Sequence, residues 1–303
     1  MKKIIRILLL FVGIALFEYV AIYCTNKGLL FSPTINGRFP GMLVPSLCRS
    51  IIDLWDNTNW KTDQRKLMRA GILKRETKIR ISFAYLFRIK INGKYLLTIN
   101  KRTGKYQPIG GAYKFYNEEK LHISKTFNAE DDNFIPVNSI TKNDYRLIIK
   151  NKDLRAFVKR FNKTKYRESY DNLSREFKEE ILWDNLDTGA AFDEITYRYC
   201  GRHYTNIAPN ISGTYELLLA DIVELVLNKE QEDYLNKIVC KYPESFCLVS
   251  DEQITNYGVK KGTDELKDVV ANHTYKILKG NEDSLVMKNK YKIKTVKIES
   301  DSF

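Results

Sequence analysis

Ser174-Arg175-Glu176-Phe177-Lys178-Glu179-Glu180-Ile181 is the stretch on which the reading of this chain turns. At 100° per residue a helix stacks Tyr170, Leu173, Phe177 and Ile181 into one apolar stripe and gathers Glu176, Glu179 and Glu180 on the arc beside it. Like charges at i,i+4 are mildly destabilising, so Glu176 and Glu180, with Glu179 between them, invite a cation. Hard carboxylate oxygens of this kind suit Mg²⁺ or Mn²⁺, which keep several waters and take further ligands from substrate phosphate. A solvated acidic face of a Glu/Lys-rich helix gives the same pattern.

Upstream, the hydrophobic period changes to two. Ile79, Ile81, Phe83, Tyr85, Phe87, Ile89 and Ile91 fall on one face, with Arg80, Ser82, Arg88 and Lys90 on the other. This is a strand with a buried side. Asn92-Gly93 is a two-residue hairpin signal, and Lys94–Asn100 is the return strand. Tyr106-Gln-Pro-Ile-Gly110-Gly111 then forms a tight backbone turn. Residues 112–167 read as an insert: a polar stretch, a strand at Tyr145–Lys150 and an amphipathic helix at Asp153–Phe161. Beyond the acidic helix, strands are expected at Glu194–Cys200, Thr214–Val226 and Phe246–Val249. Helices are expected at Lys229–Cys240 and Val269–Leu278, with a Lys-rich ragged tail from about Gly280.

Composition adds a class. The 303 residues are 44% hydrophobic and 12% aromatic, enough for a core, and 50 Lys+Arg against 37 Asp+Glu leave a net charge of +13. Between Lys61 and Lys105 stand fourteen lysines and arginines against two acids, Asp63 and Glu76. Such concentration points to phosphate of a nucleotide, nucleic acid or lipid. Arg80, Arg88, Lys90, Lys101, Arg102 and Lys105 are the candidates to hold it; a solvated strand face or a patch on anionic lipid is the competing assignment. His122, His203 and His273 lack zinc spacing, and His273 reads as a packed or surface residue, with a nucleotide-facing role as the alternative. Tyr95 and Tyr106, near the Gly-Gly turn, read as core or rim.

The first 28 residues are distinct. Ile4–Cys24 is long enough for the roughly 30 Å of a bilayer's hydrocarbon, although Arg6 and Glu18 interrupt it. A retained anchor, a cleaved signal and a buried helix all fit, the anchor best because no small-x-small cleavage site follows. Lys2, Lys3 and Arg6 against Lys27 and Arg38 slightly favour export of the body. The five cysteines, odd in number and without CxxC spacing, favour a reducing cytoplasm. The domain plan is therefore an anchor at 1–28, a connector at 29–75, an α/β domain at 76–280 and a basic tail at 281–303.

The acidic helix together with the Gly-Gly turn resembles the Nudix hydrolase family, whose box runs Gly-x5-Glu-x7-Arg-Glu-U-x-Glu-Glu-x-Gly-U, with U a bulky apolar residue. Arg175-Glu176-Phe177-Lys178-Glu179-Glu180 matches the second half, and Gly110-Gly111 matches the Pro-Gly-Gly lead-in apart from Ile109 after Pro108. The resemblance implies an α/β/α sandwich with a mixed sheet, preceded here by one transmembrane helix. It implies that Glu179 and Glu180 ligate the metal, that Glu176 ligates it or acts as the catalytic base, and that Arg175 is a structural ion-pair partner. Departures are the insert at 112–167, Arg167 with Glu168 beside it where the box has Glu, and Leu182 in place of Gly. They bear on hydrolysis more than on fold.

The basic hairpin, the split box with its Arg167-Glu168-Ser169 lead-in and the N-terminal segment resemble more specifically the SMODS-associated Nudix domains. These occur in transmembrane effectors of bacterial CBASS anti-phage systems. That resemblance implies a cyclic oligonucleotide ligand, sensed with the help of Gly110, Gly111, Arg88, Lys101 and Arg102. It also implies homo-oligomerisation on activation, disruption of the inner membrane by a single-pass anchor, and a cytoplasmic Nudix-like domain. A membrane-anchored Mg²⁺-dependent hydrolase of nucleoside diphosphate-X compounds and a tethered nucleic-acid binder are the competing functions. A stable complex with duplex nucleic acid is not expected.

Overall fold

The computed structural model describes residues 11–13, 15, 16, 19, 23, 59–132, 134, 141–169, 189–258, 269–287 and 293–297. The chain divides into two compact units, residues 1–66 and 67–303. In the first, Phe11–Gly13, Ala15, Leu16, Tyr19 and Tyr23 are helical and exposed. Among the described residues no helix is long and apolar enough to cross a membrane. Most of the expected 1–28 anchor lies outside them. Helix α1 (Asn59–Arg69) falls within the expected connector at 29–75.

The second unit is built around β1 (Lys78–Arg88). Its period-two pattern buries Ile79, Ile81, Phe83, Tyr85 and Phe87 completely. The strand β10 (Tyr215–Leu225) lies parallel to it over ten register pairs, from Ile79 opposite Tyr215 to Arg88 opposite Glu224. On the other edge β1 takes two partners in turn. Its first half pairs antiparallel with β7 (Arg146–Lys150), and its second half with β5 (Gly110–Ala112). Beyond β10 lie β8 (Glu194–Tyr204) and then β12 (Lys294–Lys297); β6 (Glu130–Asp131) borders β7, and β9 (Ala208–Pro209) pairs with β10. The sheet is mixed, as expected for a Nudix-like α/β fold.

The chain leaves β1 through β2 (Lys90–Ile91) and turns at Asn92-Gly93 into β3 (Lys94–Asn100). Both turn residues have positive φ, 48° and 79°, the geometry of a type I′ hairpin. With β4 (Lys105–Gln107) and β11 (Phe246–Val249) these strands form a second, four-stranded sheet. One face of the main sheet carries an aromatic core: Phe83, Tyr113, Tyr145, Phe157 and Phe161 stack within 4.2–6.3 Å. Helix α3 (Leu154–Lys163) contributes Leu154, Phe157, Val158 and Phe161 to it. The other face packs Leu86, Ala220 and Ile222 against Tyr95, Leu97, Val249 and Ile277.

Four expectations change. The polar stretch after 112 contains α2 (Asn117–Phe127), clamped to α3 because Arg160 donates to the fully buried Glu119 through Nε and Nη2, at 2.9 and 2.6 Å. The expected helix at 269–278 is a 3-10 segment, Asn272–Ile277, and among the described residues after β8 the α-helices are α4 (Lys229–Lys241) and the short α5 (Asp251–Thr255). The tail is not wholly ragged: Leu285 is buried, Val286 bridges Arg202, and β12 extends the sheet. The Gly-Gly turn is a short edge strand.

Candidate functional site

Gly110 is required where it stands. Its φ is 151°, and a Cβ there would lie 2.2 Å from the Tyr85 carbonyl oxygen. The absence of a side chain lets β5 close on β1, with Phe87 N–H donating to Ile109 O at 2.8 Å and Tyr113 N–H to Phe83 O at 2.9 Å. Among the described residues β5 pairs only with β1, so Gly110-Gly111 presents a second backbone edge without side chains, and both residues are half-buried. Such an edge lets a ligand approach the main chain closely.

Arg167 and Glu168, which precede the Ser174–Ile181 stretch in sequence, are anchored to the continuation of this strand. Glu168 is buried; its carboxylate accepts from Lys114 N–H at 2.8 Å, and its own N–H donates to Lys114 O at 2.9 Å. Phe115 bridges to Arg167, whose guanidinium lies 3.9 Å from the Phe161 ring centre and donates to Phe161 O at 2.8 Å. Arg167 and Glu168 are thus held, across the insert, against the Lys114–Phe115 segment that follows Gly110-Gly111. A cleft of about 680 Å³ opens here, lined by Lys114, Tyr116, Asn143, Lys165, Tyr166 and Glu168.

Behind β5 sits a buried polar network. Tyr113 and Tyr199 hydroxyls each donate to Asp221 at 2.7 Å, and Arg202 donates to both Asp221 oxygens, at 2.6 and 2.8 Å. Burial alone would raise the Asp221 carboxyl. The Arg202 charge and the three donors outweigh it and hold the group below the usual carboxylate value. Burial and the Asp221 charge push the Tyr113 hydroxyl well above the ordinary phenol range, so it stays a donor. The sequence carried one signal of this: Asp221 interrupts the apolar run Leu217–Val223.

Arg175, Glu176, Glu179 and Glu180 lie outside the described residues. Among the described residues no three His, Cys, Asp or Glu side chains converge as a metal site. Lys101 and Arg102 occupy the exposed turn between β3 and β4 of the second sheet, whereas Gly110 and Gly111 belong to the main sheet. Arg88 is a correction. It is not on an exposed basic face but 0% exposed, donating to Ile277 O at 2.5 Å and Leu278 O at 3.2 Å and paired with Glu282. The last four residues of β1 are all buried, because both faces of the strand are covered there.

The basic stretch is also less bare than its sequence. Lys78 pairs with Glu130 at 2.6 Å, Arg80 with Asp132 at 2.7 Å and Glu216 at 3.1 Å, and Lys90 approaches Asp251 at 3.9 Å. Acids distant in the chain neutralise much of the hairpin.

The family model described as the SMODS-associated NUDIX domain matches residues 78–278. The match starts on the first residue of β1 and ends at Leu278, whose carbonyl receives Arg88. No curated protein matches the chain.

Proposed function

The chain belongs to the SMODS-associated Nudix family, and on that premise we propose that it is an effector of a bacterial CBASS anti-phage system. Its Nudix-like domain senses a cyclic oligonucleotide, and ligand-driven assembly lets its N-terminal helices breach the inner membrane. The family match carries the proposal. The N-terminal segment supports it: the described positions Phe11, Val12, Leu16, Tyr19 and Tyr23 are helical, apolar and 51–70% exposed, a surface suited to lipid or to neighbouring helices. The side-chain-free edge at Gly110-Gly111 and the adjoining cleft offer the domain a place for a ligand.

The Arg175–Glu180 match favours a second reading, Mg²⁺- or Mn²⁺-assisted hydrolysis of a nucleoside diphosphate-X compound, with Glu176, Glu179 and Glu180 holding the ion. The ion would supply charge neutralisation and an activated water. Replacing Glu179 and Glu180 by Gln while following both phage protection and nucleotide hydrolysis separates the two. Protection with hydrolysis lost sinks the enzyme reading. Deleting residues 1–28 should abolish toxicity on activation; unchanged toxicity sinks the effector reading.

A further inference from the structure

Strand alternation explains the floor of the cleft beside β5. Tyr116 N–H donates to Tyr166 O at 3.0 Å and Glu168 N–H donates to Lys114 O at 2.9 Å, which sets Phe115 opposite Arg167. Phe115 and Arg167 turn into the aromatic core, the ring 5.2 Å from that of Tyr145 and the guanidinium 3.9 Å from that of Phe161. Successive side chains of a strand point to opposite faces, so Lys114, Tyr116, Tyr166 and Glu168 face the other way, into the cleft. Tyr116 and Tyr166 are directly opposed, and such side chains leave their strands about 5 Å apart. That spacing admits no ring between them. The two phenols make a single aromatic wall, and they are 41% and 39% exposed.

The fold has used some polar groups of the lining and left others. Lys114 Nζ donates to Asp144 at 2.9 Å and to Lys142 O at 3.3 Å, and Glu168 accepts from Lys114 N–H. Among the described residues, by contrast, the side-chain amides of Asn117 and Asn143 make no hydrogen bond, and Lys165 has no ion pair. The Lys165 ammonium lies 5.6 Å from the centre of the Tyr166 ring. Asn143 is positioned by its backbone: its φ is 64°, and its carbonyl accepts from Phe115 N–H at 2.9 Å. Two lysines and two glutamates border the cleft, so the lining carries no net charge. A phosphate alone finds no excess of positive charge there. A neutral planar group with donors and acceptors on its edge finds an aromatic wall and two amides without partners.

We propose that this cleft binds a nucleobase stacked on Tyr116 and Tyr166, with Lys165 at its mouth to meet the phosphate that the base carries. Aromatic side chains hold bases face to face. An asparagine amide such as that of Asn143 matches the paired donor and acceptor on the edge of adenine, so an adenine nucleotide is the ligand that the lining fits. The volume of about 680 Å³ is within the usual range of small-molecule sites. The inference rests on the sensor reading proposed above and gives its ligand a base subsite.

The test measures binding of adenosine, inosine, AMP and ribose 5-phosphate to the full chain by calorimetry. Adenosine and AMP should bind, and ribose 5-phosphate, which lacks the base, should bind about tenfold more weakly or worse. Tyr116→Ala and Tyr166→Ala should each weaken adenosine about tenfold without lowering the melting temperature of the unliganded chain, and Tyr166→Phe should keep the original affinity. Asn143→Gly tolerates the left-handed backbone, deletes the amide and should erase the preference for adenosine over inosine. Lys165→Met should weaken AMP and leave adenosine unchanged. Unaltered adenosine affinity in both alanine variants, or no adenosine binding by the unaltered chain, overturns the site. A panel of cyclic adenine di- and trinucleotides separates this inference from the sensor reading. Tyrosine-dependent adenosine binding with none of the panel bound keeps the base site and removes the sensor. Binding of the panel indifferent to both tyrosine variants removes the base site and keeps the sensor.

Discussion

Arg202 holds Asp221 through two parallel hydrogen bonds, Nε to Oδ1 at 2.6 Å and Nη2 to Oδ2 at 2.8 Å, between neighbouring strands of the main sheet. The two residues are register partners in β8 and β10, so the ion pair is a cross-strand pair, and both partners are buried. Attraction inside a protein repays the desolvation of two charges only when both partners are present.

Removing one partner is therefore costly. Asp221→Asn or Arg202→Met should destabilise the 67–303 unit by about 3–5 kcal/mol, read as a lower midpoint in chemical denaturation. Asp221→Leu combined with Arg202→Met should recover most of that loss. A double variant as unstable as the sum of the singles would show that the network supplies more than mutual neutralisation.

Gly110 and Gly104 make a matched pair of tests. Both have positive φ, but a Cβ at Gly104 meets nothing within 4 Å, whereas one at Gly110 collides with the Tyr85 carbonyl. Gly104→Ala should cost about 1 kcal/mol, the conformational strain alone. Gly110→Ala should cost roughly 2 kcal/mol or more and expose the β5 amides to hydrogen exchange. Equal costs at the two positions would refute the close approach of β5 to β1.

The histidines set an acid limit. Burial, reinforced by Lys276, pushes His203 and His273 down to about 4 from an ordinary 6.5. Between those values the unfolded chain binds more protons than the folded one, so stability rises with pH across this window. The contribution is complete above about 6.5 and is lost as pH falls toward 4. Melting temperatures at pH 7.5, 5.5 and 4.5 should fall in order, and His203→Asn with His273→Asn should flatten the decline. Lys276, pushed by burial down to about 8, adds stability that grows as pH rises from 8 toward 10.5; Lys276→Met should remove that rise.

The sequence was most legible where local rules act. Asn92-Gly93 between two alternating runs marks the hairpin, and the helix expected at Lys229–Cys240 is α4, Lys229–Lys241. Phe246–Val249 needed only a short apolar run between turn residues. Helix α2 was hidden because its buried side is narrow, with only Glu119, Ile123 and Phe127 inward, and one of those is a carboxylate. Arg88 was misplaced because alternation stops describing a strand once both faces are covered. Within the site, Gly110-Gly111 and the Arg167-Glu168 lead-in were visible as motifs, but their contact through Lys114 crosses the whole insert. Lys276 gave no signal, since a lysine near the end of an amphipathic stretch is ordinary until its burial is known.

The charge matching of the hairpin bears on how the protein is made. Lys78, Arg80, Arg88 and Lys90 find their acids at Glu130, Asp132, Glu216, Asp251 and Glu282, every one of them C-terminal to the hairpin. Translation delivers the cations first and the last anion near the end of the chain. Lys78 and Arg80 gain Glu130 and Asp132 within about fifty residues, whereas Arg88 must wait for the C-terminal segment that brings Glu282 and the Ile277 and Leu278 carbonyls, so its burial is completed last.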